Sequence, residues 1–179
     1  MWQFRDADRD WIAGMAVEIE RKFLVTGDGW KAQVTRRRHL RQAYLSRQGR
    51  TSIRVRIADA TSATLTIKSR GGRTCRAEFE YPLPVADALT LLELRDGLLL
   101  SKVRHEVRGN DGLTWEIDVF EGENTGLVIA EVELIHERQP VVLPPWIGRE
   151  VTHEERYYNS RLAHHPYRMF AHDAPSLPV

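Results

Sequence analysis

The sequence is short of the features that mark several large classes of protein. It has one cysteine in 179 residues, Cys75, which excludes an internal disulfide and is typical of a reducing compartment. No apolar run approaches the ~20 residues of a membrane-spanning helix. The opening stretch, MWQFRDADRDWIAG, is too charged for a secretory signal. We therefore expect a cytoplasmic protein without a membrane partner.

An excess of charge of one sign is also missing. There are 26 lysines and arginines against 25 acids, which gives a formal net charge of +1. Because nucleic-acid-binding domains usually carry a clear basic excess, we expect no nucleic-acid partner. The sequence does not indicate the oligomeric state.

The chain is long enough for one domain with a substantial core. Residues 1–14 show no clear hydrophobic period and precede a strand pattern. The prediction is an N-terminal appendage over 1–14, one domain over 15–170 and a C-terminal tail over 171–179.

Short segments that alternate apolar and polar residues dominate what is present, and this period predicts β-strands. The eight predicted strands are Val17–Val25, Leu40–Leu45, Ser52–Ile57, Ala63–Arg70, Cys75–Tyr81, Lys102–Arg108, Leu113–Phe120 and Leu127–Leu134. Gly71-Gly72 predicts a hairpin between two of them. Helical patterns cover Thr26–Thr35 and Val85–Arg95, with two short helices expected in the tail. Eight tightly linked strands are enough to close a narrow barrel. We predict a mainly β (α+β) fold, a closed eight-stranded antiparallel β-barrel with flanking helices.

Most of these strands are apolar on one face and charged on the other, since successive side chains point to opposite faces. In four strands two acids stand at i and i+2, and these pairs are Glu18/Glu20, Glu78/Glu80, Glu116/Asp118 and Glu131/Glu133. A solvated face would explain any one strand. However, like charges on neighbouring strands destabilise a sheet. The sorting of acids and bases favours an interior in which divalent cations neutralise the acids and a polyanion neutralises the bases.

The first strand, EIERKFLV, resembles the ExExK signature of the triphosphate tunnel metalloenzymes, the CYTH superfamily. The similarity continues in order through IRVRI, LTIKS, EFEYPLP, KVRHEV, WEIDVF, AEVEL, GREVT and YYNSRLA, and it covers roughly residues 15–168. Members include inorganic and thiamine triphosphatases, class IV adenylate cyclases and RNA triphosphatases. The strand organisation is most similar to that of the short bacterial inorganic triphosphatases. The resemblance implies that the charged faces line a tunnel.

The resemblance also implies a metal-dependent hydrolysis of inorganic triphosphate to pyrophosphate and phosphate. A triphosphate needs a cationic cradle, and arginine offers forked donors to phosphate oxygens. The expected substrate-binding residues are Lys22, Arg54, Arg56, Lys68, Arg76, Lys102 and Arg104. Lys22 and Tyr44 are the expected catalytic residues, although the residue pattern alone fits Tyr44 equally well as a core aromatic.

Metal ligands are expected among the acids. Glu18, Glu20, Glu131 and Glu133 form the predicted metal site, occupied by Mg²⁺ or Mn²⁺, with two ions during turnover. A second set of acids has three possible roles: to hold the second ion, to position its water, or to orient the basic side chains. These acids are Glu78, Glu80, Glu116 and Asp118. The basic run at residues 36–39, RRRH, is expected to be a solvated surface feature.

Other functions fit the same pattern. Enzymatic alternatives are a class IV-type adenylate cyclase and a thiamine or nucleoside triphosphatase, and the non-enzymatic alternative is a module that binds polyphosphate or nucleotide. The paired acids favour an enzyme, because a phosphate-binding module would not need so many metal-type ligands. The predicted charged face carries few aromatic residues, Tyr44 and Phe120, to stack on a base. We therefore expect inorganic triphosphate to be preferred to ATP.

Overall fold

The computed structural model describes residues 19–46, 51–69 and 78–171, and about half of them form one antiparallel sheet. Its strands are β1 Ile19–Val25, β2 Val34–Ser46, β3 Thr51–Ala58, β4 Ser62–Ser69, β5 Glu78–Leu83, β6 Leu100–Arg108, β7 Thr114–Phe120, β8 Val128–Leu134 and β9 Ile147–Glu150. The α-helices are α1 Val85–Glu93 and α2 Asn159–Leu162, and single 3-10 turns occupy Lys31–Gln33, Gly122–Asn124, Glu155–Tyr157 and Tyr167–Met169. The mainly β prediction is confirmed.

The strand order is β5-β4-β3-β2-β6-β7-β8-β1-β9, with every pair antiparallel. The prediction of a closed eight-stranded barrel is wrong for the described residues, because the sheet has nine strands and its edges β5 and β9 do not pair with each other. Pro82 removes a backbone donor from β5, which favours an edge position. At the other edge, the short β9 pairs with β1 through an irregular register between Phe23 and Val25.

Two local predictions also need correction. The helix expected over Thr26–Thr35 is a turn followed by one 3-10 turn, and β2 already begins at Val34. Trp30, 3% exposed, anchors this turn to the sheet. The strand β9 was not predicted, because its four residues, IGRE, are too few to show an alternation. The helix predicted at Val85 is present as α1.

The apolar faces of the strands form the outer side of the sheet. One buried cluster there includes Phe23, Trp115 and Val132, and Trp146 packs on it. At β2, β3 and β4 the outer side is covered by α1, whose Ala88 and Leu92 are buried. Covering this side with apolar packing leaves the charged side chains on the opposite, inner face.

One end of the inner face is apolar. Tyr44, Leu100, Phe120 and Ile129 form a buried cluster there with residues of the C-terminal segment. The members from that segment are Val151, Tyr157, Leu162, Ala163 and Phe170. The C-terminal segment therefore covers one end of the charged face instead of lying apart from it.

Some predictions fall outside the described residues. These are the 1–14 appendage, the first two residues of the opening strand, the Gly71-Gly72 hairpin and most of the tail over 171–179. Neither α1 nor α2, the α-helices of the described ranges, has the length and apolar character of a membrane span.

Candidate active site

Lys22 lies among acids contributed by β1 and β8. Its Nζ is 2.5 Å from Glu131 Oε1 and 2.8 Å from Glu20 Oε1. The strand register places Lys22 opposite Glu131 and Glu20 opposite Glu133, so the side chains of each pair share the inner face. Burial would lower the pKa of Lys22, but Glu131 and Glu20 outweigh it and raise the pKa. Lys22 is therefore a buried, permanently charged group.

Arg104 on β6 joins three of the acids. Its Nε and Nη2 donate to the two carboxylate oxygens of Asp118, each at 2.7 Å, and Nη2 also donates to Glu131 Oε2 at 3.1 Å. Nη1 donates to Glu116. Burial would raise the pKa of Glu131, but Lys22 and its other basic neighbours hold that pKa well below its usual range. Glu131 is thus ionised and fixed in place by cations.

A second buried ion pair stands next to Arg104. Lys102 is 1% exposed and donates to Asp118, which is fully buried. The Lys102 ammonium also lies 5.2 Å from the centroid of the Phe120 ring. Burial would raise the pKa of Asp118, yet Lys102 and Arg104 lower it. Asp118 therefore carries the negative charge that compensates two buried cations.

The variant Asp118→Asn should lower the free energy of unfolding by about 3–5 kcal/mol, because breaking a buried pair leaves Lys102 uncompensated. Urea denaturation at pH 7 measures this loss. Asp28→Asn is the matched control, since it removes an exposed pair with Lys31 at 2.7 Å and should change stability little. A loss at Asp118 no larger than that at Asp28 would contradict the assigned role.

The bases of β3 and β4 are oriented by β5. Arg54 Nη2 donates to Thr66 Oγ1 at 3.2 Å and lies 3.6 Å from Glu80 Oε1, while Thr66 donates to the same glutamate at 2.9 Å. Lys68 Nζ is 2.9 Å from Glu78 Oε2. In the sheet order, four strands separate β5 from β7. Of the three roles predicted for Glu78 and Glu80, this arrangement favours the orientation of bases.

Arg56 differs from the other predicted bases. No ion pair joins it to a carboxylate of residues 19–46, 51–69 or 78–171, and its buried Nε has no acceptor there. Burial lowers its pKa to about 10, with further lowering by Arg54 and Arg104 and partial opposition from Glu80 and Asp118. The positive charge of Arg56 is therefore not neutralised by an ion pair with a carboxylate of the described residues.

Tyr44 is buried on β2, directly opposite Arg54 on β3. Burial raises the pKa of its hydroxyl, and the charges of four cations, including Lys68 and Lys22, oppose the rise. β2 and β8 are three strand spacings apart, about 14 Å in a flat sheet, yet Tyr44 belongs to one buried cluster with Ile129 of β8, which indicates that the inner face is concave. The hydrogen bonds of the described residues do not include one between Tyr44 and Lys22. A catalytic role for Tyr44 stays a prediction.

The sequence patterns missed two inner-face residues, Arg38 and Gln42. Arg38 Nη2 donates to Glu106 Oε1 at 2.9 Å and lies 3.9 Å from Glu116 Oε1. It belongs to β2, so the expectation of a purely solvated RRRH run is wrong at this position. The alternation of β2 could have found it, because 38, 40, 42 and 44 share one face.

The predicted metal ligands are placed only in part. Glu18 and the predicted base Arg76 lie outside the described residues. Within the described ranges, no three acids or histidines are spaced to hold one ion. Glu20 and Glu133 nevertheless face each other across β1 and β8, as do Glu116 and Glu131 across β7 and β8. Oxygen ligands of like charge on opposed positions fit a hard divalent cation, and the ligand set remains a prediction.

The match of the chain to known proteins decides its family. Residues 16–165 match the CYTH domain. The chain belongs to the CYTH family. The acids and bases described above are therefore the inner-face charges of a CYTH domain, and triphosphatases of this family are metal-dependent.

Two relatives of this CYTH protein are inorganic triphosphatases. The protein from Acetivibrio thermocellus is 42% identical over 157 residues, which cover 87% of this chain and 99% of the relative. The protein from Nitrosomonas europaea is 38% identical over 151 residues, covering 82% and 96%. A crystal structure of an inorganic triphosphatase is similar with a TM-score of 0.63 and 35% identity, over 83% of this chain and 95% of the other. The likeness covers nearly the full length of each relative.

Proposed function

We propose that this protein hydrolyses inorganic triphosphate to pyrophosphate and phosphate with the help of a divalent metal. The observation that carries the proposal is Arg56, a half-buried cation without an ion-pair partner in the described structure. The positive charges of Arg54 and Arg104 lower its pKa further. A phosphate chain supplies the missing negative charge, and arginine binds phosphate oxygens through forked donors. The names of the two relatives support this substrate.

The proposed substrate spans the concave face from β3 to β1. Arg56 and Arg54 bind one end, Arg104 lies in between, and Lys22 stands at the acid-lined end beside Glu20 and Glu131. Since electrostatic stabilisation acts where charge develops, Lys22 is placed to stabilise the phosphoryl group under attack. Asp118 acts as a positioning residue, because it fixes Lys102 and two donors of Arg104.

Glu20, Glu131 and Glu133 are the described residues proposed to hold the metal, together with Glu18. When bound, Mg²⁺ or Mn²⁺, with a second ion during turnover, would lower the pKa of water and neutralise charge on phosphate oxygens. The reaction joins water to a terminal phosphorus and breaks that atom's bond to the bridging oxygen, which leaves with pyrophosphate. Tyr44, directly opposite Arg54 on the neighbouring strand, is proposed as a further contact with the substrate.

Inorganic triphosphate should be preferred to ATP by at least about tenfold in kcat/KM, a difference of about 1.4 kcal/mol. The inner face is charged along most of β1, β6, β7 and β8, and its apolar end is covered by the C-terminal segment. A nucleobase would need a stacking surface and polar groups that read its edge. Such a surface is not evident among the described inner-face residues.

The experiment is a comparison of kcat/KM for triphosphate, ATP and thiamine triphosphate with Mg²⁺ or Mn²⁺, with cyclic AMP measured in the ATP reaction. The highest efficiency with inorganic triphosphate supports the proposal. Cyclic AMP as the main product would instead assign a cyclase, and tight triphosphate binding without turnover would assign a binding module. A better efficiency with either organic triphosphate would overturn the proposed preference.

The proposed setting is the cytoplasm, without a nucleic-acid or membrane partner. The single cysteine is typical of a reducing compartment. The balanced total of acids and bases does not favour a nucleic-acid surface.

A further inference from the structure

Gln42 on β2 is fully buried, yet neither polar atom of its side-chain amide has a hydrogen-bond partner among the described residues. Native proteins satisfy nearly all buried polar groups, either with protein partners or with bound molecules. An apolar side chain at this position would have no polar atoms that need hydrogen-bond partners. The presence of the amide in the middle of a functional face therefore calls for a ligand-based explanation.

The register of β2 places Gln42 beside the unpaired cation. Gln42 is directly opposite Arg56 on β3 and Leu100 on β6, and residues opposite each other share a face. The buried Nε atoms of Arg54 and Arg56 also lack acceptors in the described structure. Three side chains on two neighbouring strands thus hold donors without acceptors. An anion with several oxygens satisfies all three.

The position of this group along the proposed substrate follows from the location of Lys22. Lys22 and its acids lie on β1 and β8, whereas Gln42 and Arg56 lie on β2 and β3, beyond Arg104. A triphosphate whose reacting phosphoryl group is next to Lys22 directs its other terminal phosphoryl group toward Gln42. In inorganic triphosphate that group has three non-bridging oxygens. In a nucleoside triphosphate cleaved at its terminal phosphate, the corresponding group has lost one of these oxygens to the ester.

We propose that Gln42 is a substrate-binding residue that recognises the terminal phosphoryl group distant from Lys22 and so favours inorganic triphosphate over nucleoside triphosphates. Its Nε2 donates to a non-bridging oxygen, and Arg56 supplies the charge. The neighbouring Leu100 belongs to the apolar cluster that the C-terminal segment covers, which is a poor environment for a ribose. This inference rests on the proposed function, because it assigns a role within that substrate site.

The test is Gln42→Leu, with kinetics and thermal unfolding measured together. KM for triphosphate should rise about tenfold to a hundredfold, the range for a lost hydrogen bond to a charged group, while kcat changes little. KM for ATP should rise less than KM for triphosphate. The melting temperature without substrate should stay the same or increase, because an unsatisfied amide is replaced by an apolar group of similar size.

Gln33→Leu is the matched control, since this exposed glutamine donates to Gly29 O at 3.1 Å outside the site and should leave KM unchanged. Gln42→Met repeats the test with a side chain of another shape. An unchanged triphosphate KM in the Gln42 variants, an equal rise for ATP, or failure of both variants to fold would each overturn the inference. Wild-type turnover separates the two proposals: its absence contradicts the proposed function, and its presence with unaffected variants contradicts the role of Gln42 alone.

Discussion

Lys22→Met should lower kcat for triphosphate by about a hundredfold to a thousandfold, with a smaller effect on KM. The expected size is that of removing one preorganised donor from a transition-state site. Lys22 is held by Glu131 and Glu20 at 2.5 and 2.8 Å, so its ammonium is fixed before substrate arrives. Arg56→Gln should have the opposite effect on the two kinetic constants. KM should rise by a larger factor than kcat falls, because Arg56 is assigned to binding of the substrate in its ground state.

Arg21→Met is the matched control for Lys22. Arg21 is the preceding residue on β1, but its side chain pairs with Glu150 at 2.6 Å on the other face of the strand. Steady-state kinetics and circular dichroism of the three variants provide the comparison. A folded Lys22→Met protein with wild-type kcat would remove Lys22 from the reaction.

Glu20→Gln and Glu133→Gln should each reduce activity by about a hundredfold at a metal concentration just sufficient for the wild type. The two carboxylates face each other on β1 and β8, and each change removes one charge from the proposed metal site. Part of the loss should be recovered at high Mn²⁺, because weakened affinity is offset by mass action. Metal titrations of the initial rate measure both effects.

Glu150→Gln is the control for the two acids. Glu150 accepts hydrogen bonds from Arg21 away from the charged face, and the variant should keep the wild-type metal requirement. Direct calorimetric titration with Mn²⁺ gives a readout that does not depend on turnover. Equal metal affinity in wild type, Glu20→Gln and Glu133→Gln would exclude these acids as ligands.

The sequence was a good guide to strands and to the face on which each charge lies. Alternation placed Lys22, Arg54, Arg104, Asp118 and Glu131 on the inner face, and the strand register agrees. This success has a simple cause, because a period of two fixes the face of every residue once one is known. The resemblance of EIERKFLV to the family signature identified the class correctly.

The closure of the sheet and the pairing of charges were beyond the sequence patterns. Closure depends on whether β5 and β9 meet, and alternation within a strand contains no information about its edges. The isolation of Arg56 could not be predicted either, because several acids were equally available as partners in the sequence. The polar Gln42 was overlooked because a neutral side chain does not stand out among charged neighbours, although neither polar atom of its buried amide has a hydrogen-bond partner among the described residues.

The most direct test of the central claim is a ³¹P NMR time course of inorganic triphosphate with the purified protein and Mg²⁺. The account predicts that triphosphate disappears as pyrophosphate and phosphate appear in equal amounts. Excess chelator should stop the reaction, and added Mg²⁺ should restart it. Persistence of triphosphate with active metal present, or full turnover in excess chelator, would contradict a metal-dependent triphosphatase.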